Sequence, residues 1–191
     1  MGAKALKAVV MGTSAGGLGA LSSVLPALPK TFPLPVMVVI HLPADRKSIM
    51  AELLSETCAL TVSEAEDKED ILPGHIYFAP PDYHLLVEAN GRLSLSADEP
   101  VLFSRPSIDV LFESAADVYG EGLMAVVLTG ANEDGAAGAR AVAQAGGRVI
   151  VQDPQTAFAS AMPEAALVAV PQAHVLMPDM IASELIRVAC A

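Results

Sequence analysis

Apolar runs separated by polar turns organise this chain. Residues 8–11, 35–40 and 124–128 are apolar at every position, and Arg148 leads into Val149-Ile150-Val151. Continuous runs of this length predict strands covered on both faces, as when helices flank a parallel sheet. Between them the apolar positions take helical spacing. The first helix is expected over 16–25, closed by Pro26, and a second over 48–56 with Ser48 as its cap. A third runs from Arg105-Pro106-Ser107 through Tyr119, with Ile108, Leu111, Phe112 and Ala115 on its buried face. An Ala-rich helix reaches Ala145 and stops at Gly146-Gly147. Met162-Pro163 starts another, with proline at a first-turn position. After a short strand over 175–177, Asp179 is placed to cap a terminal helix reaching Cys190.

From Leu60 to Ser96 the pattern changes. Residues 61–65 alternate, 66–70 form a charged turn, and Ile76-Tyr77-Phe78-Ala79 is a strand stopped by Pro80-Pro81. Residues 84–88 and 93–96, joined by Asn90-Gly91, read as a β-hairpin. This antiparallel section has too little core to stand alone and is expected to be an insertion or an extension of the sheet. Strand and helix alternate on both sides of it. The fold class is therefore α/β: a doubly wound, mostly parallel sheet with a short antiparallel hairpin section, in a single domain.

Three of the apolar strands end in something chemical. The first breaks into Gly12-Thr13-Ser14-Ala15-Gly16, a literal G-x-S-x-G, where turn glycines are expected to take positive φ and present the Ser14 hydroxyl beside a helix N-terminus. The second ends at His41, and the run over 124–128 leads to Asp134. Open parallel sheets bind ligands beyond the carboxyl ends of their strands. Ser14, His41 and Asp134 could converge there as nucleophile, general base and orienting carboxylate. Each also has a plain structural role open to it: Ser14 and Asp134 as caps of the helices that follow them, His41 as a cap or a carbonyl partner. The order Ser…His…Asp is not that of an α/β-hydrolase, which runs Ser…Asp…His. The residues also argue against a dinucleotide site, because Gly12 to Gly17 contains no G-x-G-x-x-G and the second strand ends in His41 rather than an acidic residue.

Composition narrows the class. With 53% hydrophobic residues in 191, the chain can bury a sizeable core. Its net charge of -11 argues against binding nucleic acid, which calls for clustered Lys and Arg. Cys58 and Cys190 are too few for a disulfide framework, and a reducing cytoplasm suits them. His41, His75, His84 and His174 lack metal-ligand spacing, so no metal and no other cofactor is expected. Glycines interrupt the apolar run after Lys4 and Lys7, unlike a signal peptide, and no run is long enough to span a bilayer.

Six ordered segments together resemble the catalytic domain of the chemotaxis protein-glutamate methylesterases, the CheB-type enzymes. They are Gly12 to Gly17; His41-Leu42-Pro43; Leu72-Pro73-Gly74-His75 with Ala79-Pro80-Pro81-Asp82-Tyr83-His84; residues 105–112, beginning Arg105-Pro106-Ser107-Ile108-Asp109; Leu128-Thr129-Gly130 with Asp134-Gly135-Ala136; and Gln152-Asp153 with Met162-Pro163-Glu164-Ala165. The resemblance spans nearly all of residues 1–191 as one methylesterase-like catalytic domain. It implies a serine hydrolase with Ser14 as nucleophile, His41 as base and Asp134 as third member, and oxyanion donors near Ala15 and Ala131. The implied substrates are glutamate methyl esters on cytoplasmic chemoreceptor helices, with receptor glutamines open to the same acyl-enzyme chemistry. Readings kept beside it are a related serine esterase or amidase with another substrate, and a non-catalytic binding module. Ala15, Ala131, Pro81 and Ser104 depart from the family pattern, where threonine, methionine, glycine and histidine are expected. Family enzymes usually carry a receiver domain upstream. Here the first strand starts within the first dozen residues, so the chain is expected to be either an excised domain or a stand-alone version without that receiver domain.

Overall fold

The computed structural model describes residues 5–41 and 49–189. Its strands are β1 (Ala8–Thr13), β2 (Val36–Ile40), β3 (Thr61–Glu64), β4 (His75–Phe78), β5 (His84–Val87), β6 (Leu93–Ser96), β7 (Leu123–Val127), β8 (Arg148–Gln152) and β9 (His174–Leu176). Its helices are α1 (Gly17–Val24), α2 (Met50–Ser55), α3 (Ile108–Tyr119), α4 (Ala136–Gln144), α5 (Ala161–Ala169) and α6 (Pro178–Ala189). Seven strands form one parallel sheet in the order β3-β4-β2-β1-β7-β8-β9. Every residue of β1, β2 and β7 is buried, which is why those runs contain no polar interruption until their last positions.

Alternate strand residues feed two cores. Val9, Met11, Val36, Val38 and Val126 face α1, α2 and α6, meeting Leu21, Leu25, Leu54, Ile181 and Leu185. Val10, Met37, Val39, Ala125 and Val127 face α3, α4 and α5, meeting Leu111, Phe112, Val142 and Ala166. The chain leaves β1 towards β2 on one side, and β7 lies on the other. A crevice therefore opens where the loops after β1 and β7 part, with the end of β2 beside it.

The region from Leu60 to Ser96 is divided differently from the sequence reading. The alternating segment β3 and the next strand, β4, join the main sheet in parallel, with β3 at its edge. The hairpin β5–β6 is a separate two-stranded sheet, not an extension; its Leu85, Val87 and Leu93 pack into the core around α3. Two caps also change. Asp179 lies in the first turn of α6, which starts at Pro178, so it faces the helix dipole without capping. The expected cap Ser48, like Cys190, lies outside the described residues. Among the described residues no helix is long and apolar enough to cross a membrane.

Candidate functional site

The site is assembled at the carboxyl ends of β1, β2 and β7. Thr13 pairs with Ile40, and the His41 N–H donates to the Thr13 carbonyl at 3.1 Å, so the ladder sets Ser14 and His41 level on neighbouring strands. The Ser14 N–H donates to the Thr129 carbonyl at 2.9 Å, which ties the same point to the end of β7. Ser14 is half-buried, and its hydroxyl has no partner among the described residues. It does not cap α1. The N-cap is Gly16, and no side chain bonds to that helix end.

The glycines here serve two different needs. Gly16 takes φ +80°, as the turn requires. Gly12 is an ordinary strand residue whose absent side chain makes room for Ile108 at the start of α3, since a Cβ there would lie 2.3 Å from its Cγ2. The positive φ expected of the turn glycines is found at Gly16, while Ser14 itself is not among the residues of positive φ.

His41 and Asp134 meet directly, Nε2 to Oδ2 at 2.8 Å, with the imidazole 12% exposed and the carboxylate fully buried. The expectation of Asp134 as a possible cap for the helix after it is overturned. The N-cap of α4 is Gly135, at φ +98°. Asp134 instead caps α3, which starts 26 residues upstream of it: its Oδ2 accepts the Ile108 N–H at 2.7 Å and its Oδ1 the Asp109 N–H at 3.0 Å and the Ser107 hydroxyl at 2.9 Å. Asp109 returns the arrangement, its Oδ1 accepting the N–H groups of Gly135 at 2.9 Å and Gly138 at 2.6 Å. Each helix start is thus capped by a carboxylate from the other.

The two carboxyls are pushed apart by their surroundings. Burial works to raise Asp134, but hydrogen bonds from His41, Ile108 and Asp109 and the His41 charge outweigh it and hold the group below the usual carboxylate range. An ionised Asp134 makes Nε2 the protonated ring nitrogen and leaves Nδ1 as the nitrogen able to accept a proton. Asp109 moves the other way, to about 6, chiefly by burial and by the neighbouring charges of Asp134 and Glu113, against the pull of its Gly138 and Gly135 hydrogen bonds. A carboxyl raised in the folded state binds its proton there more tightly than in the unfolded chain, whose carboxyl titrates near ~3.9. The contribution of Asp109 to stability is then greatest at low pH and declines as pH rises from about 4 to about 6. Asp109→Asn keeps an acceptor for Gly135 and Gly138 but does not titrate. Its Tm relative to wild type should climb between pH 4 and 7 in thermal melts; a difference independent of pH would contradict the assignment.

Behind these residues lies a polar layer that the sequence reading did not single out. The Thr129 N–H donates to Gln152 Oε1 at 2.9 Å, and its hydroxyl donates to the Ala15 carbonyl at 2.8 Å and accepts from the Ala159 N–H at 2.9 Å. Its carbonyl takes the Thr13 hydroxyl at 2.8 Å as well as Ser14. His84, wholly buried, accepts the Ser107 N–H on Nδ1 at 3.1 Å, so its Nε2–H donates to the Glu99 carbonyl, also at 3.1 Å. The signal in the sequence was a threonine or glutamine closing an apolar run, as at Thr13, Thr129 and Gln152. The backbone N–H groups of Ala15 and Ala131, just past the ends of β1 and β7, have no acceptor among the described residues. Among those residues, too, no three His, Cys, Asp or Glu side chains gather closely enough to hold a metal ion.

Comparison with known proteins gives one consistent result. The family model described as CheB methylesterase matches residues 9–185. A relative from Leptospira interrogans is 45% identical over 181 residues, covering 95% of this chain and 94% of its own. A relative from Thermotoga maritima named protein-glutamate methylesterase/protein-glutamine glutaminase is 40% identical over 84% of this chain, which spans only 48% of that protein. The crystal structure of the Thermotoga maritima CheB methylesterase catalytic domain superposes with a TM-score of 0.91 at 38% identity, covering 96% of this chain and 99% of that one.

Proposed function

Because the chain belongs to the CheB methylesterase family, we propose that it is a serine hydrolase that removes methyl groups from glutamate methyl esters of chemoreceptors and deamidates receptor glutamines. The observation that carries this reading is the buried Asp134–His41 contact, with Ser14 level beside His41 in the strand register. In the reading, Ser14 Oγ attacks the δ-carbonyl of the ester as His41 Nδ1 takes its proton. The N–H groups of Ala15 and Ala131 hold the oxyanion. The tetrahedral adduct collapses, the C–O bond to the methoxy group breaks, and His41 returns the proton so that methanol leaves. Water then attacks the Ser14 ester with His41 again as base, releasing the glutamate carboxylate and the free serine. With a glutamine side chain the C–N bond breaks instead and ammonia leaves. Asp134 keeps the imidazole in the Nε2–H form and stabilises the imidazolium.

The protein would act where chemoreceptor signalling domains are, in the cytoplasm. The direct test is release of labelled methanol from a methylated receptor by the purified chain. Release at a rate proportional to enzyme is expected. Hydrolysis of small esters without any release from receptor would move the reading to a serine esterase with another substrate.

A further inference from the structure

Thr129 is 1% exposed, and its hydroxyl has no part in the proposed reaction. That hydroxyl nevertheless reaches both loops of the site. It donates to the Ala15 carbonyl at 2.8 Å and accepts the Ala159 N–H at 2.9 Å. One side chain at the end of β7 thus joins the turn after β1 to the segment leading into α5. Thr13 and Gln152, which bond the Thr129 carbonyl and N–H, are buried with it. Hydrogen bonds shielded from water in this way hold their direction more firmly than exposed ones.

The two free backbone donors of the site, Ala15 and Ala131, are aimed by the carbonyls that precede them. In a trans peptide the C=O and the next N–H point in opposite directions. The Ser14 carbonyl accepts the Gly17 N–H at 2.9 Å, so the Ala15 N–H is turned away from the first turn of α1. The Gly130 carbonyl accepts the Met162 N–H at 3.0 Å, so the Ala131 N–H is turned away from the start of α5. Gly130 is itself closely packed. Its N–H donates to the Ala159 carbonyl at 3.0 Å, and an added Cβ would lie 2.5 Å from Met162 Cε. The Thr129 hydroxyl links the two arrangements, because it holds the carbonyl of Ala15 on one side and Ala159, the partner of Gly130, on the other.

We infer that Thr129 is a positioning residue for the oxyanion donors, its hydroxyl keeping the Ala15 and Ala131 N–H groups in the orientation that lets both donate to one oxygen. The inference rests on the serine-hydrolase reading above. As Ser14 Oγ bonds to the carbonyl carbon and His41 takes its proton, the electron pair of the C=O π bond moves to oxygen. Donors fixed beforehand stabilise that charge without having to reorganise as it forms. A purely structural tie between β1 and β7 has no need of the hydroxyl. The Ser14 N–H and the Thr13 hydroxyl already meet the Thr129 carbonyl, and the Leu128 N–H donates to the Gly12 carbonyl at 2.9 Å.

Substitutions at Thr129, assayed on a small ester with the purified chain, separate positioning from support. Thr129→Val keeps the shape of the side chain and removes its hydrogen bonds. It should lower kcat by about 10- to 100-fold, with KM within about 3-fold of wild type. Thr129→Ser should bring kcat back to within about 3-fold of wild type, and Thr129→Cys, a weaker donor, should fall between the two. Should Thr129→Val fail to fold, the order of the Ser and Cys variants decides the point. An aryl trifluoromethyl ketone adds to a nucleophilic serine as a tetrahedral oxyanion, so its Ki should rise across the series by the factor by which kcat/KM falls. An unchanged kcat in Thr129→Val and Thr129→Cys, equal losses in Thr129→Ser and Thr129→Val, or a loss confined to KM would overturn the inference and leave Thr129 a structural tie that moves only Tm. A wild-type chain that neither hydrolyses the ester nor binds the ketone would remove the serine-hydrolase reading itself, and this role with it.

Discussion

Ser14→Ala should abolish turnover, lowering kcat/KM on esters by on the order of 10⁴-fold or more, while the fold and Tm stay as in wild type. The two halves of this expectation have separate causes. A serine whose hydroxyl attacks the carbonyl leaves no substitute when it is truncated, because the next step proceeds through its own ester. The stability half follows from what the hydroxyl does not do. It neither caps α1 nor bonds a described residue, and the backbone of Ser14 keeps its hydrogen bonds to Thr129 and Gly17 whatever the side chain. Turnover of the purified variant within about 10-fold of wild type would exclude Ser14 as nucleophile.

Asp134→Asn should cost both rate and stability, and the stability loss is the more informative. An asparagine caps a free helix end about as well as an aspartate, so a mere cap would tolerate the change. Here both carboxylate oxygens are fully used, each facing two donors: His41 and Ile108 on one, Ser107 and Asp109 on the other. Whichever way the amide turns, its NH₂ group faces one backbone N–H, of Ile108 or of Asp109, and that buried hydrogen bond is lost, while the His41 ring or the Ser107 hydroxyl must turn acceptor. Leaving such a group unsatisfied costs about 1–3 kcal/mol. A drop in Tm of roughly 2–10 °C is expected for a chain of this size. The rate should fall by about 10²-fold or more, since an amide cannot hold the imidazole in its Nε2–H form or stabilise the imidazolium. A variant that melts lower but turns over esters at the wild-type rate would reduce Asp134 to a structural cap of α3.

Much of this was legible in the chain because of how parallel sheets are built. Strands covered on both faces must be apolar at every position, so β1, β2, β7 and β8 appear as uninterrupted runs. The residues that end those runs are where ligands bind, which is why Ser14, His41 and Asp134 could be picked out without coordinates. Failure came where burial is partial. β3 lies at the sheet edge with both end residues exposed, and a half-covered parallel strand alternates just as an antiparallel one does. Its pattern therefore could not distinguish membership of the main sheet from membership of the hairpin.

What the sequence alone determined, then, is the layered α/β fold and the identity of the polar residues at its strand ends, because both are written in local hydrophobic pattern. What only the tertiary structure decided is which of those residues act on one another. A cap read from sequence is assigned to the nearest helix, yet Asp134 caps α3 and Asp109 binds the start of α4, across more than twenty residues of chain. That exchange requires two helix N-termini to be brought together, with Gly12 and Gly135 leaving space for Ile108 between them. Hydrogen bonds and charges act through space within a few ångströms, so the partners of a buried carboxylate are set by packing and not by sequence distance.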